Sequence, residues 1–313
     1  MSNTIHDCGF VYVATGDRYW QEAADSAAQL RRTNPGRRIC LITDAVRAGT
    51  PFWDDLVILE NPCFGFRDKV EMRRCPYERF VYLDTDTHTF GDLSDLFAML
   101  NQFDACGVQL FEGHDYHVKG IPYAYSETNA GMLGFHKGPE VDAFFEEWVR
   151  LYAEFRAQNQ GENYHYANVG DQKSLRVALW NSKLRFAFVG PEFNFIPFRN
   201  DFAALPVKVL HTRATQNLEK LVARLNATLG RRAYFPALDV IISNEIPDAE
   251  LHRLLTTTLT QIFRRTMRKF TPLGLRTWLR GFTSIRTLFL GNRYESPSAQ
   301  NEKKWEKPPS LNP

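Results

Sequence analysis

Residues 80–90 read FVYLDTDTHTF, an apolar run that passes without a break into Asp84-Thr85-Asp86. Two carboxylates one residue apart repel each other, and each must stay hydrated or be neutralised. Asp and Thr are ordinary turn residues, so a polar turn or a helix N-cap after a strand accounts for them without any ligand. A hard divalent cation accounts for them too, because carboxylates flanking one turn residue can face the same ion. The choice between these readings depends on the rest of the chain.

Upstream, GFVYVAT (9–15) is a short apolar run ending in small polar residues. Trp20, Ala23, Ala24, Ala27 and Leu30 then recur at helical spacing, and NPG stops that helix. ICLITD (39–44) and LVIL (56–59) predict two more strands, and KVEMRR (69–74) a helix leading into the strand 79–84. Downstream, 92–100 predicts a short helix, 104–110 and 131–137 strands, 139–155 an amphipathic helix with Pro in its first turn, and 171–180 another helix. RFAFV and VKVL close the pattern, and 217–229 is a further helix. Continuous apolar runs, rather than strict alternation, indicate strands buried on both faces of a mainly parallel sheet. Strands alternating with helices predict an α/β, Rossmann-like twisted sheet flanked by helices. Ligands of such sheets sit beyond the carboxyl ends of the strands, where Asp84 and Asp86 lie.

The chain has 313 residues, 44% of them hydrophobic, enough for one large domain and an appendage. Its five cysteines are scattered and form no CxxC pair, which suits a reducing compartment. The first residues lack a basic stretch followed by a long apolar run, and no segment approaches the ~18 apolar residues of a membrane span. The expected location is the cytoplasm. The net charge of +2 hides an asymmetry, for residues 251–294 carry nine Lys or Arg and no Asp or Glu, while 1–250 are net acidic. An acidic body argues against a nucleic-acid partner, which would draw basic charge onto the main domain.

Five segments, in order, resemble the nucleotide-sugar-dependent glycosyltransferases of the GT-A fold, and most nearly their glycogenin-like and lipooligosaccharide galactosyltransferase-like group. They are VYVATGDRYW, DKVEMRRCPYERFVYLDTDT, TNAGMLGFHKG, VGDQKSL, and FNFIPF followed by VLHTR. Together they span roughly residues 9–215. The resemblance implies a metal-dependent transfer of a hexose from a UDP-sugar to a glycan or glycolipid, with retention of anomeric configuration. It implies Mn²⁺, or Mg²⁺, on Asp84, Asp86 and His211. It also implies a base and ribose pocket at Ala14, Thr15 and Tyr19, and donor contacts from Lys69, Arg73, Thr85, Asn129 and Ala130. Asp171 and Gln172 would be the catalytic pair, with Gln172 near the anomeric carbon. Two departures stand out. The Gly and Lys-Pro-Trp expected beyond the histidine are missing from HTRATQNLEK, where Arg213 could substitute, and Ala130 replaces a Ser.

Simpler roles remain open at this stage. His211 could be a partly buried structural histidine, Tyr19 a helix-packing residue and Lys69 an exposed helix-start lysine. GDQ could be a helix N-terminus with Asp favoured by the dipole. The pairs His114/His117 and Asp84/His88 have metal-like spacing but fall outside the family's pattern. Two other function classes also stay in play. A nucleotidyltransferase would want a Gly-rich phosphate loop that ATGDRYW lacks, and a non-catalytic nucleotide- or glycan-binding relative would not need the intact Asp84, Asp86 and Asp171. The expected organisation is a catalytic domain over 1–230, a basic helical segment over 231–296 and a disordered tail over 297–313. Within the basic segment, Leu275, Trp278, Leu279 and Phe282 fall at helical spacing apart from Arg276 and Arg280. Such a helix can lie on an anionic membrane at the inner face, or pack its apolar side on the acidic body.

Overall fold

The structure is a computed structural model; it describes residues 6–47, 52–110, 118, 120–158, 170–199, 201–245, 256 and 260. Seven strands form the central sheet: β1 (His6–Ala14), β2 (Arg38–Thr43), β3 (Asp55–Ile58), β4 (Tyr77–Leu83), β6 (Ala105–Leu110), β7 (Glu127–His136) and β8 (Phe186–Val189). Their order is β3-β2-β1-β4-β7-β6-β8. β7 runs antiparallel to both neighbours, and the other pairings are parallel. The mainly parallel α/β sheet expected from the apolar runs is therefore present.

Both faces of this sheet are covered, which is why its strands read as unbroken apolar runs. On one face Phe10, Tyr12, Val81 and Leu83 pack with Trp20, Ala23, Ala27 and Leu30 of α1 (Asp17–Thr33) and with Phe97 of α2 (Ser94–Met99). On the other, Val11, Val13, Phe80 and Tyr82 pack with Phe144, Phe145 and Trp148 of α3 (Pro139–Gln158) and Leu175 of α4 (Gln172–Asn181). Odd and even strand positions feed different layers, so each strand contributes to two cores. A buried Phe or Trp of either layer contributes about 3–5 kcal/mol against truncation to Ala.

Two small sheets extend the fold. β5 (Thr87–Thr89) pairs antiparallel with β10 (Val209–His211). β9 (Phe202–Ala203), β11 (Arg232–Phe235) and β12 (Val240–Ser243) form the other, next to α5 (Leu218–Ala227). The hairpin β11–β12 corrects the helical expectation for residues 232–243. Its turn holds Asp239 at φ 51°, and Asp239 accepts hydrogen bonds from Arg224 at 2.7 Å and Tyr234 at 3.2 Å. The residues before β4 differ as well. Phe66–Arg74 is a 3₁₀ helix, three residues per turn, so Lys69 and Arg73 do not share a side as an α-helix would have them do. The basic residues 263–293, the tail 297–313 and the His114/His117 pair lie outside the described residues. Among the described residues no helix is long and apolar enough to cross a membrane.

Candidate active site

The chain turns as soon as β4 ends. The Thr87 amide and hydroxyl both donate to the Asp84 carbonyl, at 3.1 and 2.7 Å, and the Asp84 amide donates to the Gly131 carbonyl at 2.9 Å. Thr85 is buried and donates to Glu22 at 3.0 Å. A further chain from Tyr12 to Ser26 (2.9 Å) and on to Thr87 (3.2 Å) ties the turn to α1. Asp84 and Asp86 are left projecting from the carboxyl edge of the sheet in opposite company.

Asp84 faces the α3–α4 side. Lys69 Nζ stands 2.9 Å from its Oδ1 and 2.8 Å from Oδ2 of Asp171 at the start of α4, and the Tyr82 hydroxyl donates to Asp84 Oδ1. Lys69 is buried, so the reading of it as an exposed helix-start lysine is corrected. Burial would lower its pKa, but the charges of Asp171 and Asp84 outweigh that and raise it above the usual lysine range. Burial and the adjacent Asp84 carboxylate push the Tyr82 phenol well above its usual value.

Asp86 faces the α1 side. Antiparallel pairing sets His211 opposite Thr87, and His211 Nε2 comes within 3.2 Å of Asp86 Oδ1 and 3.6 Å of Asp84 Oδ2. Arg213, half exposed, reaches Asp86 Oδ2 at 3.4 Å and Glu22 at 3.8 Å. Burial opposes ionisation of Asp86, yet the hydrogen bond and charge that a protonated His211 supplies, with Arg213, hold its pKa at about 2. Asp84, Asp86 and His211 each offer a ligand atom, and the three atoms lie within 4.8 Å of one another. The three carboxylates of Asp84, Asp86 and Asp171 outnumber the Lys69 ammonium and the Arg213 guanidinium beside them, so the cluster could hold a further cation. Oxygen-rich ligation with one imidazole suits Mn²⁺ or Mg²⁺ better than Zn²⁺.

The other expected residues are distributed around this edge. Ala14 and Thr15 are buried at the end of β1, where the Thr15 hydroxyl donates to Asp68 at 2.9 Å. Asp68 is itself held by the amides of Cys63 and Phe64, both at 2.8 Å. Tyr19 is exposed on α1, with the Arg18 guanidinium 5.6 Å over its ring. Gln172 is clasped by β7, since Ala130 N donates to its Oε1 at 3.2 Å and its amide nitrogen donates to the Thr128 carbonyl. Asn129 is buried, and its Oδ1 accepts from Gly131 N and Asn194 Nδ2, both at 2.8 Å. His88 points to the Thr212 carbonyl at 3.1 Å, so Asp84 and His88 do not form a pair. Three participants were not anticipated as site residues: Tyr82, Gly131 and Asn194. All three stand in quoted segments, Tyr82 in DKVEMRRCPYERFVYLDTDT, Gly131 in TNAGMLGFHKG and Asn194 in FNFIPF, which were the available signal. A Cβ on Gly131 would lie 2.2 Å from His211 Cε1, so only glycine admits the imidazole at this place.

No family model and no curated protein matches the chain. Solved structures do. A galactosyltransferase, LgtC, solved with donor and acceptor sugar analogues, aligns over 70% of this chain and 97% of its own, with 16% identity and a TM-score of 0.47. The glycosyltransferase GlyE of Streptococcus pneumoniae TIGR4 aligns over 71% of this chain and 61% of its own, at 16% identity and TM-score 0.46. Mouse xyloside xylosyltransferase 1 aligns over 67% and 98%, at 13% identity and TM-score 0.44.

Proposed function

We propose that the protein is a metal-dependent glycosyltransferase that moves a hexose from a UDP-sugar to a glycan or glycolipid acceptor. The observation that carries the proposal is the gathering of Asp84, Asp86 and His211, from the end of one strand and the end of another, within 4.8 Å beside the Lys69–Asp171 pair. The five sequence segments that resemble the GT-A family contribute to this one edge of the sheet, which is where such sheets take their ligands.

A divalent cation on these three residues would neutralise the donor diphosphate and stabilise the departing UDP. Lys69, held cationic by its two carboxylates, offers a point charge to the diphosphate or to a sugar hydroxyl. Asp171 can accept hydrogen bonds from donor hydroxyls once Lys69 is shared with the substrate. Gln172, fixed on β7, would line the crevice near the anomeric carbon, and Ala14, Thr15 and Tyr19 would border the base. Arg213, half exposed at the rim of the cluster, would supply a second positive charge toward the diphosphate. We take retention of configuration from the family resemblance; the anomeric proton coupling of the product decides it.

The test is a thermal-shift screen of UDP-hexoses with Mn²⁺, followed by UDP release with and without the cation. A stabilising UDP-hexose with Mn²⁺-dependent UDP release supports the proposal. Turnover insensitive to chelation, or release of pyrophosphate from a sugar phosphate and a nucleoside triphosphate, contradicts it. For the basic stretch 263–293 we propose contact with anionic lipid at an inner membrane face, each basic side chain contributing on the order of 1 kcal/mol. Co-sedimentation with liposomes should require anionic lipid and weaken with salt; absence of binding returns the segment to packing on the acidic body.

A further inference from the structure

The hydrogen bonds behind His211 settle the direction of every group in a short chain. Gly131 N can only donate, so the Asn129 atom 2.8 Å away is the amide oxygen. That same oxygen lies 2.8 Å from the Asn194 amide, which must therefore present its nitrogen. The Asn194 oxygen is then the atom 3.1 Å from His211 Nδ1, and Nδ1 must carry the proton. In the neutral ring Nε2 is left bare, aimed at Asp86 Oδ1 at 3.2 Å and Asp84 Oδ2 at 3.6 Å. A lone pair facing two carboxylates is unfavourable by itself and favourable around a cation.

We propose that Asn194 is a positioning residue: it imposes the Nδ1–H tautomer on His211 and so keeps Nε2 available as a metal ligand. The proposal rests on the metal-site reading above. Without Asn194, the ring is free to move its proton to Nε2 and donate to Asp86, a closed pair that competes with the ion. The support is built into the fold. Asn194 is fully buried, and the next residue, Phe195, bridges Leu210 of β10, bonding to the residues on either side of it. Phe195 N donates to the Val209 carbonyl at 2.9 Å, and His211 N donates to the Phe195 carbonyl at 2.8 Å. Asn194 therefore follows His211 wherever β10 goes. A ring nitrogen held in this way is how metal-binding histidines are commonly oriented, and loss of such a partner costs roughly 10- to 100-fold in metal affinity.

The experiment has two readouts, neither of them activity. The first is the ¹⁵N spectrum of the His211 ring in the metal-free wild-type protein, at a pH where the ring is neutral. Nδ1 protonated and Nε2 bare is expected; the reverse tautomer overturns the proposal with no variant needed. The second is Mn²⁺ affinity by calorimetry for wild type and Asn194→Ala. The variant is expected to bind roughly 10- to 100-fold more weakly and to show a mixture of tautomers. Wild-type affinity in Asn194→Ala overturns the assignment. Should that variant not fold, Asn129→Ala releases the Asn194 amide from its anchor and is expected to weaken Mn²⁺ in the same sense; unchanged affinity there overturns it as well. Wild type that binds no Mn²⁺ refutes the metal-site reading, and the tautomer in the same protein still decides what Asn194 does.

Discussion

The two sides of the Asp-Thr-Asp turn solve the same problem differently. On the α3–α4 side, Asp84 is answered by a buried lysine shared with Asp171 and by the Tyr82 hydroxyl. On the α1 side, Asp86 has a histidine and a half-exposed arginine. The first arrangement supplies its cation from the chain itself and is part of the fold's own electrostatics. The second leaves its counter-charge exchangeable. Carboxylates two positions apart can thus differ in whether a substitution is paid in stability or in ligand binding.

The largest separation of the two sides should come from Asp86→Asn. It removes one charge from the cation site without touching a core side chain, and transfer should fall by about 10³-fold, several kcal/mol of transition-state stabilisation. At neutral pH, with the His211 ring uncharged, the melting temperature should stay close to wild type; near-normal turnover at saturating Mn²⁺ would put the cation elsewhere. Lys69→Met should do the opposite to stability. It strands Asp84 and Asp171 without their shared cation, and urea unfolding should register a loss of about 3 kcal/mol. An unchanged midpoint would mean that solvent screens this pair.

How much of this was legible in the sequence follows from range. The apolar runs, the helix periods and the placement of Asp84 and Asp86 at a strand end are local signals, and the structure bears them out. His211 came from family order, since nothing within a few residues of it indicates a ligand. The antiparallel run of β7 was not legible, because both strand directions leave the same apolar stretch. The hairpin β11–β12 was missed because its first strand, Arg232–Phe235, opens on arginine and forms no apolar run, so the stretch was read with the basic segment that follows it. The 3₁₀ winding of Phe66–Arg74 was not legible either, because KVEMRR carries no signal that separates three residues per turn from 3.6. Gly131 and Asn194 matter through contacts with a histidine some 80 and 17 positions away, and no local pattern encodes those.

Gly131→Ala sharpens the comparison on the Asp86 side alone. Its methyl must displace the His211 ring, so Mn²⁺ affinity should drop roughly 10- to 100-fold, measured by calorimetry. Unchanged affinity would show that His211 can retreat and still ligate. The smallest effect concerns acid. Asp86 is held at about 2, below the 3.8 of an unperturbed carboxylate. Its contribution, about 2 kcal/mol, is present above pH ~4 for as long as His211 carries its charge, and is lost as pH falls toward 2. Unfolding curves of wild type and Asp86→Asn, measured in mild acid, should therefore converge as pH falls through that window.

The central claim is that Asp84, Asp86 and His211 together hold the cation that the donor diphosphate needs. Electron paramagnetic titration of Mn²⁺ into the metal-free full chain, with and without UDP, tests it most directly. The account predicts one Mn²⁺ site that UDP tightens, and roughly 10- to 100-fold weaker binding in His211→Ala. Equal Mn²⁺ affinity in wild type and His211→Ala, or a site indifferent to UDP, would contradict it.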